Sequence, residues 1–392
     1  MSGFRHVERH IWLIGLPMVI LLLTICGCDR AELGRSLRLP TLAPVNAKPE
    51  VRPPATSQPG LKPGKPLPSN AMSSPSISFK KIAENTTDYG NRLAFSADGN
   101  LLAIVNPAGA VYLWRDLKSW HTQSLPGEML DRTFFAATGD RLLVAPHIFE
   151  ISTQQWLPLP SLANAFTADL SEGTPSGGFA TYAAAWSPDG KDLVVYAEYR
   201  PSRRAGDRSS GSGPTKRLLL LEGQTRQLKS VLWQGKGSEA YRTITLNDRF
   251  IAAAATHLRI WDRQTQKAVA DLSEHTLVIR DLQWNVTGTL LASGSADQQV
   301  ILWDTATWKP LHHWQAHQGE VKALAFHPHQ PLLVTGGEDQ QLKVWSLQGK
   351  LLKTEAMQGM VEGLAFNSQG DRLAIAQGGT QASVQVYAVT ME

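Results

Sequence analysis

The chain has 392 residues, 42% of them apolar and 18% charged, with a formal net charge of +4; this places its bulk among globular proteins with room for a large buried core. From Ser76 onward 29 basic residues stand against 30 acidic ones, a balance that argues against a nucleic-acid stripe. The only cysteines are Cys26 and Cys28, so no disulfide framework staples that core.

In chain order, the first element is an address. Arg5 and Arg9 precede an apolar run from Ile11 to Ile25, which is 15 residues long. A spanning helix needs about 20 residues, so the run reads as the hydrophobic region of a signal peptide. It ends in "ICGCD", where Ile25, Gly27 and Cys28 resemble a bacterial lipobox. The resemblance implies cleavage after residue 27 and acylation of Cys28, with several acyl chains giving stable anchoring. The alternative is an uncleaved anchor with the rest of the chain facing the cytoplasm. Residues 28–75 follow as a tether: ten prolines lie between Asp29 and Pro75, with little to bury. Seven basic residues against three acidic ones in that stretch favour an anionic membrane surface.

Residues 76–392 read as short strands and turns. Trp261, Trp303, Trp345 and Tyr387 are spaced 42 residues apart, and Phe95–Trp114, Trp284–Trp303 and Phe326–Trp345 are each separated by 19. His275 precedes Ser293, Asp297 and Trp303 by 18, 22 and 28 residues; His317 precedes Thr335, Asp339 and Trp345 by the same distances. Serine, histidine and aspartate are the residue types of a hydrolase triad. Tandem duplication points instead to a structural repeat. A hydrolase would also need an oxyanion hole and an exposed nucleophile, and Ser293 sits between Ala292 and Gly294 with no nucleophile-elbow pattern.

With Trp261-Asp262 and Trp303-Asp304 closing their units, the repeat resembles the WD-repeat β-propeller family. The resemblance implies an all-β, seven-bladed propeller with blades near 88–127, 128–162, 163–234, 235–274, 275–316, 317–357 and 358 to the end. The last blade lacks an outer strand, so Ser76–Ala83 is expected to supply it and close the ring, since an open ring leaves strand edges exposed. The resemblance further implies that His275, Ser293, Asp297 and Trp303 form one hydrogen-bonded structural tetrad, and His317, Thr335, Asp339 and Trp345 another.

Several candidates remain. His327 and His329 in "FHPHQ" lack an evident third metal ligand, and His312 and His313, adjacent on a strand, point to opposite faces. No metal, cofactor or catalytic residue is expected. For partner binding, the stretch Tyr199–Arg217 reads as a mobile basic loop carrying Arg200, Arg203, Arg204, Arg208, Lys216 and Arg217. The family implies that the positions just before each first strand share its rim: Tyr89, Val278, Glu320 and Met360, then Asn91, Arg280, Lys322 and Glu362. Their mixed chemistry suits a protein or peptide epitope. The expectation is a non-enzymatic interaction scaffold, lipid-anchored in a bacterial envelope on the periplasmic face, with no nucleic-acid partner. The alternative is a propeller enzyme of lactonase or hydrolase type.

Overall fold

The computed structural model describes residues 77–391, with breaks at 87–89, 97, 107–109, 124–134, 139–140, 145–146, 151–152, 154, 159–161, 163–164, 167–176, 202–214, 237–239 and 381. The chain separates into two units, Met1–Ser69 and Asn70–Glu392, and every described residue lies in the second. The expected signal peptide (1–27), the tether (28–75) and Cys28 lie outside the described residues.

The described strands form seven four-stranded antiparallel sheets. A strand β1 (Ile77–Asn85) comes first. The next sheets are β2 (Arg92–Phe95), β3 (Leu101–Val105), β4 (Val111–Arg115) and β5 (Lys118–Gln123); then β6 (Phe135–Thr138), β7 (Arg141–Val144), β8 (His147–Glu150) and β9 (Gln155–Pro158). The third is β10 (Gly177–Trp186), β11 (Asp192–Pro201), β12 (Thr215–Glu222) and β13 (Leu228–Lys236); the fourth is β14 (Thr243–Leu246), β15 (Phe250–Ala254), β16 (Leu258–Asp262) and β17 (Ala268–Leu272). The fifth is β18 (Ile279–Trp284), β19 (Leu290–Ser295), β20 (Gln299–Asp304) and β21 (Lys309–Gln315); the sixth is β22 (Val321–Phe326), β23 (Leu332–Gly337), β24 (Gln341–Ser346) and β25 (Leu351–Ala356). These six sheets are each built of consecutive strands. The last is composite: β26 (Met360–Phe366), β27 (Arg372–Gly378) and β28 (Ser383–Met391) take β1 as their outer strand.

The first strand of each sheet touches the first strand of the next, and β26 touches β2, so the sheets close into a propeller. Each gap between neighbouring sheets holds its own apolar cluster. This explains the sequence of the second strands. A strand covered on both faces reads as a continuous apolar run rather than an alternation. Accordingly "LLAIV" in β3, "FIAAA" in β15 and "LLVTGG" in β23 are buried at every position, whereas outer β21 is almost wholly exposed. Close approach between sheets demands glycine at Gly294 and Gly336, among others. A Cβ on Gly294 would stand 2.7 Å from Val321 Cγ1, and one on Gly336 would stand 2.2 Å from Val361 Cγ1.

Closure follows the expected route. β1 runs antiparallel to β28 from Ile77 opposite Met391 to Asn85 opposite Val384, with a bulge at Ile82. Lys353 of the preceding sheet donates to the Ile77 carbonyl at 3.0 Å and lies 5.4 Å from the Phe79 ring. On the rim opposite the expected binding face, Arg263 latches the third and fourth sheets together. It donates to Asp192 Oδ2 at 2.6 and 2.9 Å, to Asp189 Oδ1 at 3.2 Å and to the Asn247 carbonyl at 2.8 Å.

Candidate functional site

The fifth and sixth sheets bring the eight predicted residues together in two sets. The Trp303 indole N–H donates to Ser293 Oγ at 2.9 Å, and Ser293 Oγ lies 2.8 Å from His275 Nε2. His275 Nδ1 lies 2.9 Å from Asp297 Oδ2, which also accepts the Thr276 backbone N–H at 2.9 Å. In the second set, Trp345 donates to Thr335 Oγ1 at 3.0 Å, His317 Nε2 is 2.7 Å from that hydroxyl, and His317 Nδ1 is 2.7 Å from Asp339 Oδ1. The Gln318 N–H donates to Asp339 Oδ2 at 3.1 Å. Proton bookkeeping leaves one arrangement for a neutral ring. An indole only donates and a carboxylate only accepts, so the imidazole proton sits on Nδ1 and the hydroxyl donates to Nε2.

The electrostatics agree. Burial pushes both imidazoles below their ordinary value, against the opposing pull of Asp297 and Asp339. Burial alone would raise the two carboxyls, but hydrogen bonds from the backbone and from the imidazoles outweigh it and hold both below the usual range. Ser293 and Thr335 have no exposed surface. Every donor and acceptor along the chain from indole to turn is used, which rigidifies the sheet and its loops.

The fourth sheet solves the same problem differently. Ile251 faces Trp261 as Leu291 faces Trp303, which places Ala253 where the fifth sheet has Ser293. With no hydroxyl available, the Trp261 indole donates to the Leu232 carbonyl at 3.1 Å. Aromatic rings fill the space instead: Tyr241 stands edge-on to Trp261 at 6.1 Å, to Trp233 at 5.2 Å and to Tyr196 at 5.5 Å. The 42-residue period gave no warning of this substitution, because Tyr241 lies outside it.

On the rim, Arg280, Lys322 and Glu362 occupy equivalent places. Each is the residue skipped by a β-bulge in its first strand, and Tyr182 in β10 is a fourth that the repeat spacing missed. A bulge re-aims the side chain it carries. Arg280 then reaches Glu320 at 2.6 Å, while Lys322 contacts Glu320 at 3.0 Å and Glu338 at 2.9 Å. Burial would raise the Glu320 carboxyl, but the bonds and charges of Arg280 and Lys322 hold it below its usual value. Three predicted partner-binding residues are therefore paired with one another. Met360 and Glu362 are half-buried, Val278 lines a cavity between the fourth and fifth sheets, and the Asn91 N–H bonds the Val105 carbonyl. Tyr89 lies outside the described residues.

The basic loop is shorter than expected. Tyr199, Arg200 and Pro201 belong to β11, and Thr215, Lys216 and Arg217 belong to β12, because the hairpin keeps pairing up to Tyr199 opposite Thr215. Arg200 is tied down by Glu198 at 2.5 Å and by the Tyr182 hydroxyl at 2.9 Å. Lys216 and Arg217 are buried; Arg217 donates to the Ala165 carbonyl and to Gln234 Oε1 at 3.1 Å, and lies 4.8 Å from the Phe166 ring. These cations serve the hairpin. Arg203, Arg204 and Arg208 lie outside the described residues.

The remaining histidines also find structural surroundings. His327 Nε2 is 3.1 Å from the Gly370 carbonyl and His329 Nε2 is 2.9 Å from the Ser368 carbonyl, so the pair links the sixth and seventh sheets. His312 and His313 are exposed on outer β21. Asp281, on β18, accepts the Leu324 N–H of β22 at 2.8 Å; burial pushes its carboxyl up to about 6, against backbone hydrogen bonds and the charge of Arg92.

Two segments, 266–304 and 308–346, match the family model described as WD domain, G-beta repeat. Each spans the outer strand of one sheet and the first three strands of the next. With that offset the outer position of the seventh sheet is filled from the other end of the ring, by β1 beside β28. No curated protein gives a significant match to the chain.

Proposed function

We propose that this WD-repeat propeller works as a seven-bladed, non-enzymatic scaffold. Its partner is a protein or peptide held on the rim formed by the loops before the first strands and the turns between second and third strands. The observation that carries the reading is the state of the two triad-like constellations. A catalytic hydroxyl must reach its substrate, whereas Ser293 and Thr335 are fully buried with both hydrogen-bonding roles engaged by tryptophan and histidine. The two WD-repeat matches support it as well, since WD propellers generally bind protein partners. The reading extends to the amino terminus. The order of basic residues, short apolar run and Cys28 supports a lipid anchor in a bacterial envelope, with residues 28–75 as the tether to the periplasmic face.

The test is cross-linked affinity capture from membranes, with full-length protein beside a version lacking Ser202–Pro214 and a Cys28→Ala variant. The scaffold reading expects one defined envelope protein, lost from the membrane fraction with Cys28→Ala. Recovery of cytoplasmic proteins alone would overturn the topology. Loss of the partner in the deletion would assign the basic segment 202–214 to the interface.

A further inference from the structure

The cavity on the rim of the fourth sheet has a volume of about 340 Å³ and is lined by Tyr241, Arg242, His257, Arg259, Asp271 and Val278 among others. It lies in a sheet without the polar tetrad, next to the first sheet that has one. His257 lies in the turn between β15 and β16, the counterpart of the turns that carry Asp297 and Asp339 but two residues shorter, since Ala253 pairs with Arg259 where Ser293 pairs with Ile301 and Thr335 with Lys343. The turn that carries a carboxylate in the neighbouring sheets carries an imidazole here. Two guanidinium groups and this imidazole thus stand against one carboxylate in the lining.

The Arg259 guanidinium is preorganised. Asp271 Oδ2 accepts both Nε and Nη2 of Arg259, at 2.9 and 2.5 Å, and Arg259 Nη1 donates to the buried Tyr241 hydroxyl at 3.2 Å. Fixing a guanidinium before binding removes an ordering cost that the ligand would otherwise meet. Beside it the lining is apolar at Val278, and the preceding Leu277 is 52% exposed. An exposed leucine next to a cationic cavity matches a ligand with an acid and an aliphatic group close together.

We infer that this cavity seats an acidic peptide segment of the partner, with an Asp or Glu side chain among Arg242, His257 and Arg259 and a neighbouring aliphatic residue against Val278 and Leu277. The inference rests on the scaffold reading and names the chemistry of its partner. Carboxylates bind guanidinium groups through charge-assisted hydrogen bonds, which the corresponding amide cannot match.

The experiment uses the full chain and an immobilised array of random 12-residue peptides, each synthesised in an acid form and a matched Gln/Asn form. Binding is read for wild type, Arg242→Glu and the exposed-turn variant His257→Asp, with unfolding midpoints to confirm that each variant folds. The expected result is selection of acid-and-aliphatic peptides, at least about tenfold weaker binding of their amide forms, and a comparable loss in both variants. Peptide binding without acid preference, or equal binding by both folded variants, overturns the cavity assignment and leaves the scaffold standing. No peptide binding with a partner still recovered from membranes does the same. Failure of both the array and the membrane capture overturns the two together.

Discussion

Replacing Ser293 with alanine removes one hydroxyl and strands two buried groups. The Trp303 N–H loses its acceptor at 2.9 Å, and His275 Nε2 loses its donor at 2.8 Å. Trp303 is 1% exposed and His275 4% exposed, so neither turns readily to bulk water. An unsatisfied buried group costs about 1–3 kcal/mol; two of them, less the gain from no longer burying the hydroxyl itself, give a loss of roughly 2–4 kcal/mol. At about 2 °C per kcal/mol for a domain of this size, the melting midpoint falls by roughly 4–8 °C. Urea unfolding followed by circular dichroism measures the loss directly. Ser293→Thr is the control, because Thr335 performs the same task in the next sheet, and it retains most of the stability. Trp303→Phe, alone and combined with Ser293→Ala, completes a double-mutant cycle with an expected coupling of about 1 kcal/mol or more. A Ser293→Ala variant within about 0.5 kcal/mol of wild type, the range of an ordinary surface substitution, together with no coupling to Trp303, would refute the reasoning.

Gly336→Ala drives a Cβ into Val361 and costs about 1–3 kcal/mol by overpacking, with partial rescue by Val361→Ala; unfolding free energies of the single and double variants check this. Arg263→Ala leaves Asp189 and Asp192 without their shared guanidinium, on side chains that are 9% and 11% exposed for Arg263 and Asp192; the expected loss is about 2–4 kcal/mol, near the range for breaking a buried ion pair. Stability also depends on pH with a definite sign. The tetrad histidines titrate below their ordinary value of 6.5, so the unfolded chain binds more protons, and their contribution is full above about 6.5 and lost as pH falls below it. Asp281, raised to about 6, acts in the opposite sense, because the folded chain takes up its proton first between about 6 and 3.8. Unfolding from pH 7.5 to 4.5 is therefore expected to show a steeper loss on acidification in Asp281→Asn than in wild type. Removing Ile77–Asn85 uncovers the whole edge of β28; light scattering and chromatography are expected to show association of the truncated protein through that edge.

The features readable in the sequence were those that repeat or that fail to repeat. A period of 42 located the fourth to seventh sheets, and identical spacings located both tetrads before any distance was known. A last repeat without an outer strand, with a spare strand ahead of the first, foretold the pairing of β1 with β28. What stayed hidden depends on the ring. Arg280 meets Glu320, and Asp281 meets the Leu324 N–H, only because neighbouring sheets pack face to face about 40 residues apart in sequence. Turn composition misled at Tyr199–Arg217. The hairpin keeps pairing up to Tyr199 opposite Thr215, so Arg200 is held by Glu198 with its side chain still exposed, while Lys216 and Arg217 are buried. The substitution of Tyr241 for a polar tetrad was equally invisible, since ring-on-ring packing among Tyr196, Trp233 and Trp261 follows no short motif.

The scaffold account is tested most directly by site-specific photocross-linking in the full-length protein, with a benzoylphenylalanine placed at one exposed position at a time. Leu277, Gln318 and Gln358 sample the rim carrying the loops before β18, β22 and β26, and Val286, Gln330 and Gln348 sample the opposite rim of the fifth and sixth sheets. The account predicts one protein adduct of constant mass from the first three positions and none from the others. An adduct confined to the opposite rim, or no protein adduct at all, would contradict it.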